Sequence, residues 1–271
     1  MKSRKSQNNV SFFSCNEGWS KDLLSHELLK DDYTIEQADF LQDKYRTIVE
    51  EDSQETIDIS DITRIKRIAG VDAAYYTKNN KEFGVACAVL WDLHKSEMIC
   101  NNFAQGIVNF PYKPGYLGFR ECRLLASAII QFPQKPDVIM CDGHGITHPK
   151  SFGLSVHLGR AINIPSLGVA KNPYVGHYEW NSKRRTKGKK APIYKEGSVI
   201  DSKLPHILLG YAICLNDNFK PVFVSVGHKI SLELAVKLAM DTSINHRQPE
   251  PLYLADKFSR EKVKEFAKKN L

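Results

Sequence analysis

The chain changes pattern once, near Phe119, and that change constrains its fold more than any other feature. Before it, residues 65–75, 83–92 and 97–108 are three β-rich runs in succession, the last two separated by the turn-forming Asp92, Leu93, His94, Lys95 and Ser96. After it, helical and strand periods alternate. Residues 119–132 carry apolar side chains at Phe119, Cys122, Leu125, Ala126, Ile129 and Ile130, the spacing of an amphipathic helix, and Pro133 and Pro136 end it. Residues 137–141 form a short apolar run that stops on Asp142 and Gly143, as a central parallel strand does. A helix is then expected at 152–162, strands at 166–170, 208–215 and 222–226, and a helix at 231–243. Three antiparallel strands followed by alternating helix and strand specify an α/β domain with a mixed β-sheet flanked by helices, and ligand sites in such sheets favour the carboxyl ends of strands.

Ahead of the first strand, Thr34 is placed to cap a helix over 34–51, with Gln37 completing a capping box and Ile35, Ala38, Leu41, Tyr45 and Ile48 at helical spacing. Residues 1–33 keep no period and read as a loosely ordered arm. The expected organisation is this arm followed by a single domain over 34–271 that carries a basic loop at about 181–197.

No apolar run approaches the length that spans a bilayer, and the basic first six residues lead into a polar segment, not the apolar stretch of a secretory signal. The expectation is an intracellular protein, cytoplasmic or nuclear, with no membrane partner. Six cysteines without CxxC spacing indicate neither a disulfide framework nor a zinc site, and read as reduced, mostly buried thiols. A net charge of +7 and a pI near 9.0 favour polyanionic partners. The charge concentrates in KRRTKGKKAPIYK (183–195), which serves either as a phosphate contact or as a solvated surface loop.

Three carboxylates stand in costly places: Asp72 inside an apolar strand, Glu121 on the inner face of a helix start and Asp142 at a strand end. Hard acidic oxygens converging from separate elements are what Mg²⁺ requires, and such ions activate water for displacement at phosphorus. The alternative is that each caps a turn or pairs with a base such as Arg120 or Lys66.

Five segments around these residues, RIAGVDAAYY (67–76), PYKPGYLGFRE (111–121), DGHGITHPKSFGLSVHLG (142–159), PSLGVAK (165–171) and SVGHKISLELAVKL (225–238), resemble the endonuclease V family in order and spacing. The resemblance spans roughly residues 65–260. It implies a ribonuclease H-like fold and hydrolysis of the second phosphodiester 3′ of inosine, leaving 3′-hydroxyl and 5′-phosphate ends. The cofactor implied is Mg²⁺, with Mn²⁺ able to substitute, held by Asp72, Glu121 and Asp142. Lys171, at the end of PSLGVAK, would offset charge on the scissile phosphate, and His228 would reach metal-bound water or a phosphate. Pro111, Tyr112 and Pro114 match the family's strand-separating wedge. Gly115, Leu117, Gly143, Gly145, Ile146 and Leu154 match its base pocket, with His148 beside it, the glycines letting backbone groups approach a base edge.

The partner implied is inosine-containing RNA or DNA, bound by a monomer; no protein partner can be inferred. Bacterial members of the family act in DNA repair and eukaryotic ones prefer inosine in RNA; the amino-terminal arm and the lysine-rich insertion resemble eukaryotic elaborations, so the resemblance implies single-stranded RNA. The alternatives are a deoxyinosine-specific DNA repair endonuclease, another ribonuclease H-like phosphotransferase, or a non-catalytic inosine-binding module.

Overall fold

The structure is a computed structural model that describes Trp19 and residues 22–49, 56–180, 185–197 and 207–268. The three β-rich runs form β1 (Arg67–Lys78), β2 (Lys81–Asp92) and β3 (Glu97–Ile107), an antiparallel meander whose first turn passes through Asn79 and Asn80, both at positive φ. After α2 (Leu117–Ile129), β4 (Val138–Cys141) pairs parallel to β1; after α3 (Leu154–Ile162), β5 (Ser166–Ala170) pairs parallel to β4. β6 (Lys190–Tyr194), β7 (Leu208–Ile213) and β8 (Val222–His228) add antiparallel strands, giving an eight-stranded mixed sheet in the order β3-β2-β1-β4-β5-β8-β7-β6. The mixed α/β class expected from the change of pattern is the one observed.

Alternation along the strands divides the core in two. Ala69, Val71, Ile139 and Cys141 face α2 and α3, while Ile68, Val138, Met140, Leu167 and Val169 face the opposite layer of α4 (Leu232–Asp241) and α5 (Glu250–Lys268). Burying both faces explains why β4 is apolar throughout and β5 is apolar apart from Ser166. α1 (Ile35–Val49) starts with the expected capping box, Thr34 N–H donating to Gln37 Oε1 (2.9 Å) and Gln37 N–H to Thr34 Oγ1 (3.2 Å).

Three expectations are corrected. Residues 22–33 are not a loose arm: two short 3₁₀ turns (Leu23–Ser25 and Glu27–Leu29) seat Leu28 and Leu29 in the core, and Tyr33 meets Phe119 edge-on at 5.9 Å. The rest of the expected arm, residues 1–18, 20 and 21, lies outside the described residues. Residues 190–194 of the basic loop are β6, with Ala191 and Ile193 turned inward. The carboxyl-terminal helix α5, absent from the expected elements, covers β1 and β2. Among the described residues, Cys87, Cys100, Cys122, Cys141 and Cys214 are free, all but Cys100 buried, and no helix is long and apolar enough to cross a membrane.

Candidate active site

The site follows from unequal strand lengths. β4 stops at Cys141, yet β1 continues to Lys78, so the chain leaving β4 lies beside the middle of β1. The Asp142 N–H still donates to Val71 O (3.2 Å), which sets Asp142 next to Asp72. α5 closes this space from one face. It begins against Gly70, where a Cβ would stand 2.4 Å from the Pro251 carbonyl carbon, and then presents Asp256.

One oxygen from each of Asp72, Asp142 and Asp256 lies within 4.8 Å of the others. Glu121 stands outside this triangle, because its Oε1 accepts a 2.6 Å hydrogen bond from the Tyr75 hydroxyl. Its charge is nevertheless felt. Burial, then Asp142, Glu121 and Asp256, push the Asp72 carboxyl up to about 9, against the pull of Lys171. Burial likewise lifts Glu121 to about 7, opposed by the Tyr75 hydrogen bond and reinforced by Asp142. Arg120 donates to Glu82 Oε2 (2.8 Å) and Phe110 O (2.6 Å), and its charge only partly offsets the upward push on Glu121. A fold that forces like charges together bears a cost that a bound cation removes, and the donors are hard oxygens from separate elements. The residues therefore fit a divalent ion such as Mg²⁺.

Lys171, one residue past β5, places Nζ 2.6 Å from Asp142 Oδ2 and 3.5 Å from Asp256 Oδ1. Burial works against its ammonium, but these carboxylates outweigh that and raise its pKa above the ordinary lysine value. Arg247 fixes the strand end from behind, donating from Nη2 to Lys171 O and to Pro221 O (2.8 Å).

An endonuclease V family profile matches residues 47–257. Endonuclease V of Dictyoglomus turgidum is 37% identical over 196 residues, 72% of this chain and 79% of that protein. Among solved structures, endonuclease V of Streptomyces avermitilis has a TM-score of 0.70 at 32% identity, covering 88% of this chain and 96% of its own. Endonuclease V of Ciona intestinalis, in complex with a 24mer DNA containing an inosine followed by a ribo-adenosine, has a TM-score of 0.70 at 26% identity over 86% of this chain and 98% of its own. The chain belongs to the endonuclease V family.

As an endonuclease V, the chain has the family's ribonuclease H-like sheet and is by kinship a nuclease. The residues matched to the wedge, Pro111, Tyr112 and Pro114, all project into solvent; Tyr112 is 76% exposed, with the Arg120 guanidinium 5.8 Å from its ring centre. Behind these residues, Gly115 O accepts from Gln42 Nε2 (2.7 Å) and meets His148 Nε2 at 3.0 Å. Burial presses the His148 pKa down to about 4, the Gly115 contact only partly offsetting it, and Lys150 N–H donates to Nδ1 (3.2 Å). His148 is thus a neutral imidazole that carries its proton on Nε2 and donates it to Gly115 O.

The loop from Gly143 to Thr147 lies across β5 and β8. Gly145 must be glycine, since a Cβ would sit 1.8 Å from Val226 O, and its N–H donates to Ser225 Oγ (2.9 Å). The Gly143 N–H is engaged with Cys141 O (2.9 Å), so both of these donors have partners within the protein. Leu117 and Ile146 are partly buried against the core, and Leu154, buried at the start of α3, packs on Gly143.

His228 does not join the carboxylates. β8 runs antiparallel to β5, so its last residue pairs with Ser166 at the start of β5, the end opposite Lys171. There His228 is buried, with Nε2 3.4 Å from Asn163 Oδ1. Sequence reasoning missed Asp256 and Arg247, both on the carboxyl-terminal side of the last expected helix. It also missed Gln42 and Asp39 of α1, the latter accepting from the Tyr116 hydroxyl (2.7 Å) and Lys150 Nζ (2.5 Å).

Proposed function

We propose that this chain is a Mg²⁺-dependent endonuclease that binds an inosine-bearing strand, single-stranded RNA by preference, and hydrolyses the second phosphodiester 3′ of inosine. The observation that carries this reading is the convergence of Asp72, Asp142 and Asp256 on one point, with Lys171 alongside and Glu121 adjacent. A bound Mg²⁺ would supply an activated water and stabilise the leaving oxygen. The water oxygen forms a bond to phosphorus as the bond to the 3′ oxygen breaks; that oxygen takes a proton, leaving a 3′-hydroxyl and a 5′-phosphate. Lys171, held by Asp142, presents positive charge to the phosphate, while Tyr75 orients Glu121 by donating to it. Tyr112 stands free to stack where the strand is parted, and the Gly115 to His148 contact braces the wedge against the loop after β4.

The ligand of the Ciona relative, in which a ribo-adenosine follows inosine, supports a substrate with a ribose just past the altered base. The test is cleavage of three matched single strands bearing inosine in RNA, deoxyinosine in DNA, or deoxyinosine followed by one ribonucleotide. The reading expects cutting of the first and third and weak cutting of the second. Equal cutting of all three would make it a DNA repair enzyme as much as a ribonuclease, and binding with no cutting would leave only an inosine-binding module.

A further inference from the structure

A cavity of about 400 Å³ lies at the far end of β1, outside the site described above. Its floor is a pair of stacked rings, Tyr76 and Phe83, with centres 5.2 Å apart and planes 14° from parallel. Gln105 donates to the Tyr76 hydroxyl, and Phe266 of α5 stands 6.4 Å from the Tyr76 ring and closes one side. At the rim, Lys78 pairs directly with Lys81 across the turn, and both line the cavity. Both side chains bring positive charge to the rim, the sign that a phosphate-bearing strand needs.

Position supplies the occupant's identity. Asp72 and Tyr76 are four residues apart on β1, on one face of the strand and about 13 Å from each other by strand rise. On α5, Asp256 and Phe266 accompany them, so one strand and one helix lead from the carboxylates to the cavity. An aromatic platform flanked by cations is how proteins hold single strands without reading sequence. We infer that this cavity is a subsite that stacks one base of the substrate strand away from the cut, with Lys78 and Lys81 on the adjoining phosphates. The inference rests on the nuclease reading above.

The test uses the full chain made inactive by Asp72→Asn, and measures affinity for an inosine-bearing RNA strand shortened one nucleotide at a time from either end. Tyr76→Leu should weaken binding of the long strand by about 5- to 150-fold, the range of one base–aromatic stack, whereas Tyr76→Trp should preserve it. The Lys78→Gln, Lys81→Gln pair should make the salt dependence shallower, by about 0.7 for each phosphate that is no longer neutralised. Both penalties should vanish once the strand is shortened past a definite length from one end. Unchanged affinity of Tyr76→Leu for the long strand would overturn the subsite, as would a penalty that persists at every strand length, which would signify damage to the fold. Failure of the wild-type chain to cut the same strand in Mg²⁺ would instead overturn the nuclease reading, so the two failures are distinct.

Discussion

The charge balance at Asp72 decides how the resting protein responds to pH. In the folded chain this carboxyl binds a proton up to about pH 9, whereas an unfolded aspartate releases it near pH 4. Between those values the folded state holds more protons, so stability without metal should fall as pH rises through that window. Burial and the neighbouring carboxylates together cause the fall, and a bound Mg²⁺ would offset both. Thermal unfolding with Mg²⁺ and with chelator should therefore differ little near pH 5 and most near pH 9. Asp72→Asn keeps the shape and is neutral without taking up a proton on folding. At pH 8 without metal it should gain at least about 1 kcal/mol, roughly 2–4 °C for a domain of this size, while losing cleavage and the Mg²⁺ response. A variant less stable than the parent under those conditions would refute the repulsion. Asp72 and Asp142 were legible in the sequence because a carboxylate amid Val71, Ala73 or Cys141 has no cheap local explanation. Asp256 was not, because Lys257, Arg260 and Glu261 around it make an ordinary charged helix face. His228 was misplaced because sequence does not say which end of an antiparallel strand faces the site.

At the scale of elements, α5 must lie close on β1 for Asp256 to meet Asp72, and Gly70 permits the approach. Gly70→Ala should push the two apart, costing about 1–3 kcal/mol of stability as overpacking does and lowering turnover and Mg²⁺ affinity together. Full activity in that variant would show that α5 does not position the metal oxygens. α1 acts on the other side of the site. Gln42 is 2% exposed, and Gln42→Ala leaves the Gly115 carbonyl with His148 alone, at a cost of about 1–3 kcal/mol. If residues 111–114 bind the strand without reacting, as proposed, steady-state kinetics should show a raised KM with kcat nearly kept. A fall in kcat at constant KM would move the bracing role to the chemistry. The sequence revealed α1 through its capping box and β4 through its apolar run. It concealed β6, whose inward Ala191 and Ile193 alternate with Lys190 and Pro192 inside a basic run, and α5, whose apolar residues Leu252, Ala255 and Phe258 are sparse among charges.

Across the whole molecule, we propose that the basic segment adds phosphate contacts to those of the carboxylate site. Arg247, whose pKa burial lowers, also feels Asp142 in one direction and Arg185 in the other, so the loop's first described cation acts on the residue that holds the Lys171 strand end. Lys189 and Lys190 lie 5.4 Å and 4.7 Å over the rings of Trp180 and Tyr211. Lys183 and Arg184 fall outside the described residues. Replacing Arg185, Lys187, Lys189 and Lys190 by glutamine should weaken inosine-bearing and plain strands by similar factors. The salt slope on single strands should become shallower by about 0.7 for every phosphate these cations had neutralised, and an unchanged slope would return the loop to a merely solvated surface. A metal-dependent nuclease directed by inosine, built on three converging carboxylates, is tested hardest by one rate measurement. Wild-type chain and Asp256→Asn are compared in cutting an RNA strand with a single inosine, across a Mg²⁺ titration, beside the same strand with adenosine. Wild type should cut only with Mg²⁺ and only the inosine strand, and Asp256→Asn should be at least about 100-fold slower, since a metal-stabilised transition state is worth several kcal/mol. Cutting that survives chelation, ignores the base, or proceeds unimpaired in Asp256→Asn would contradict it.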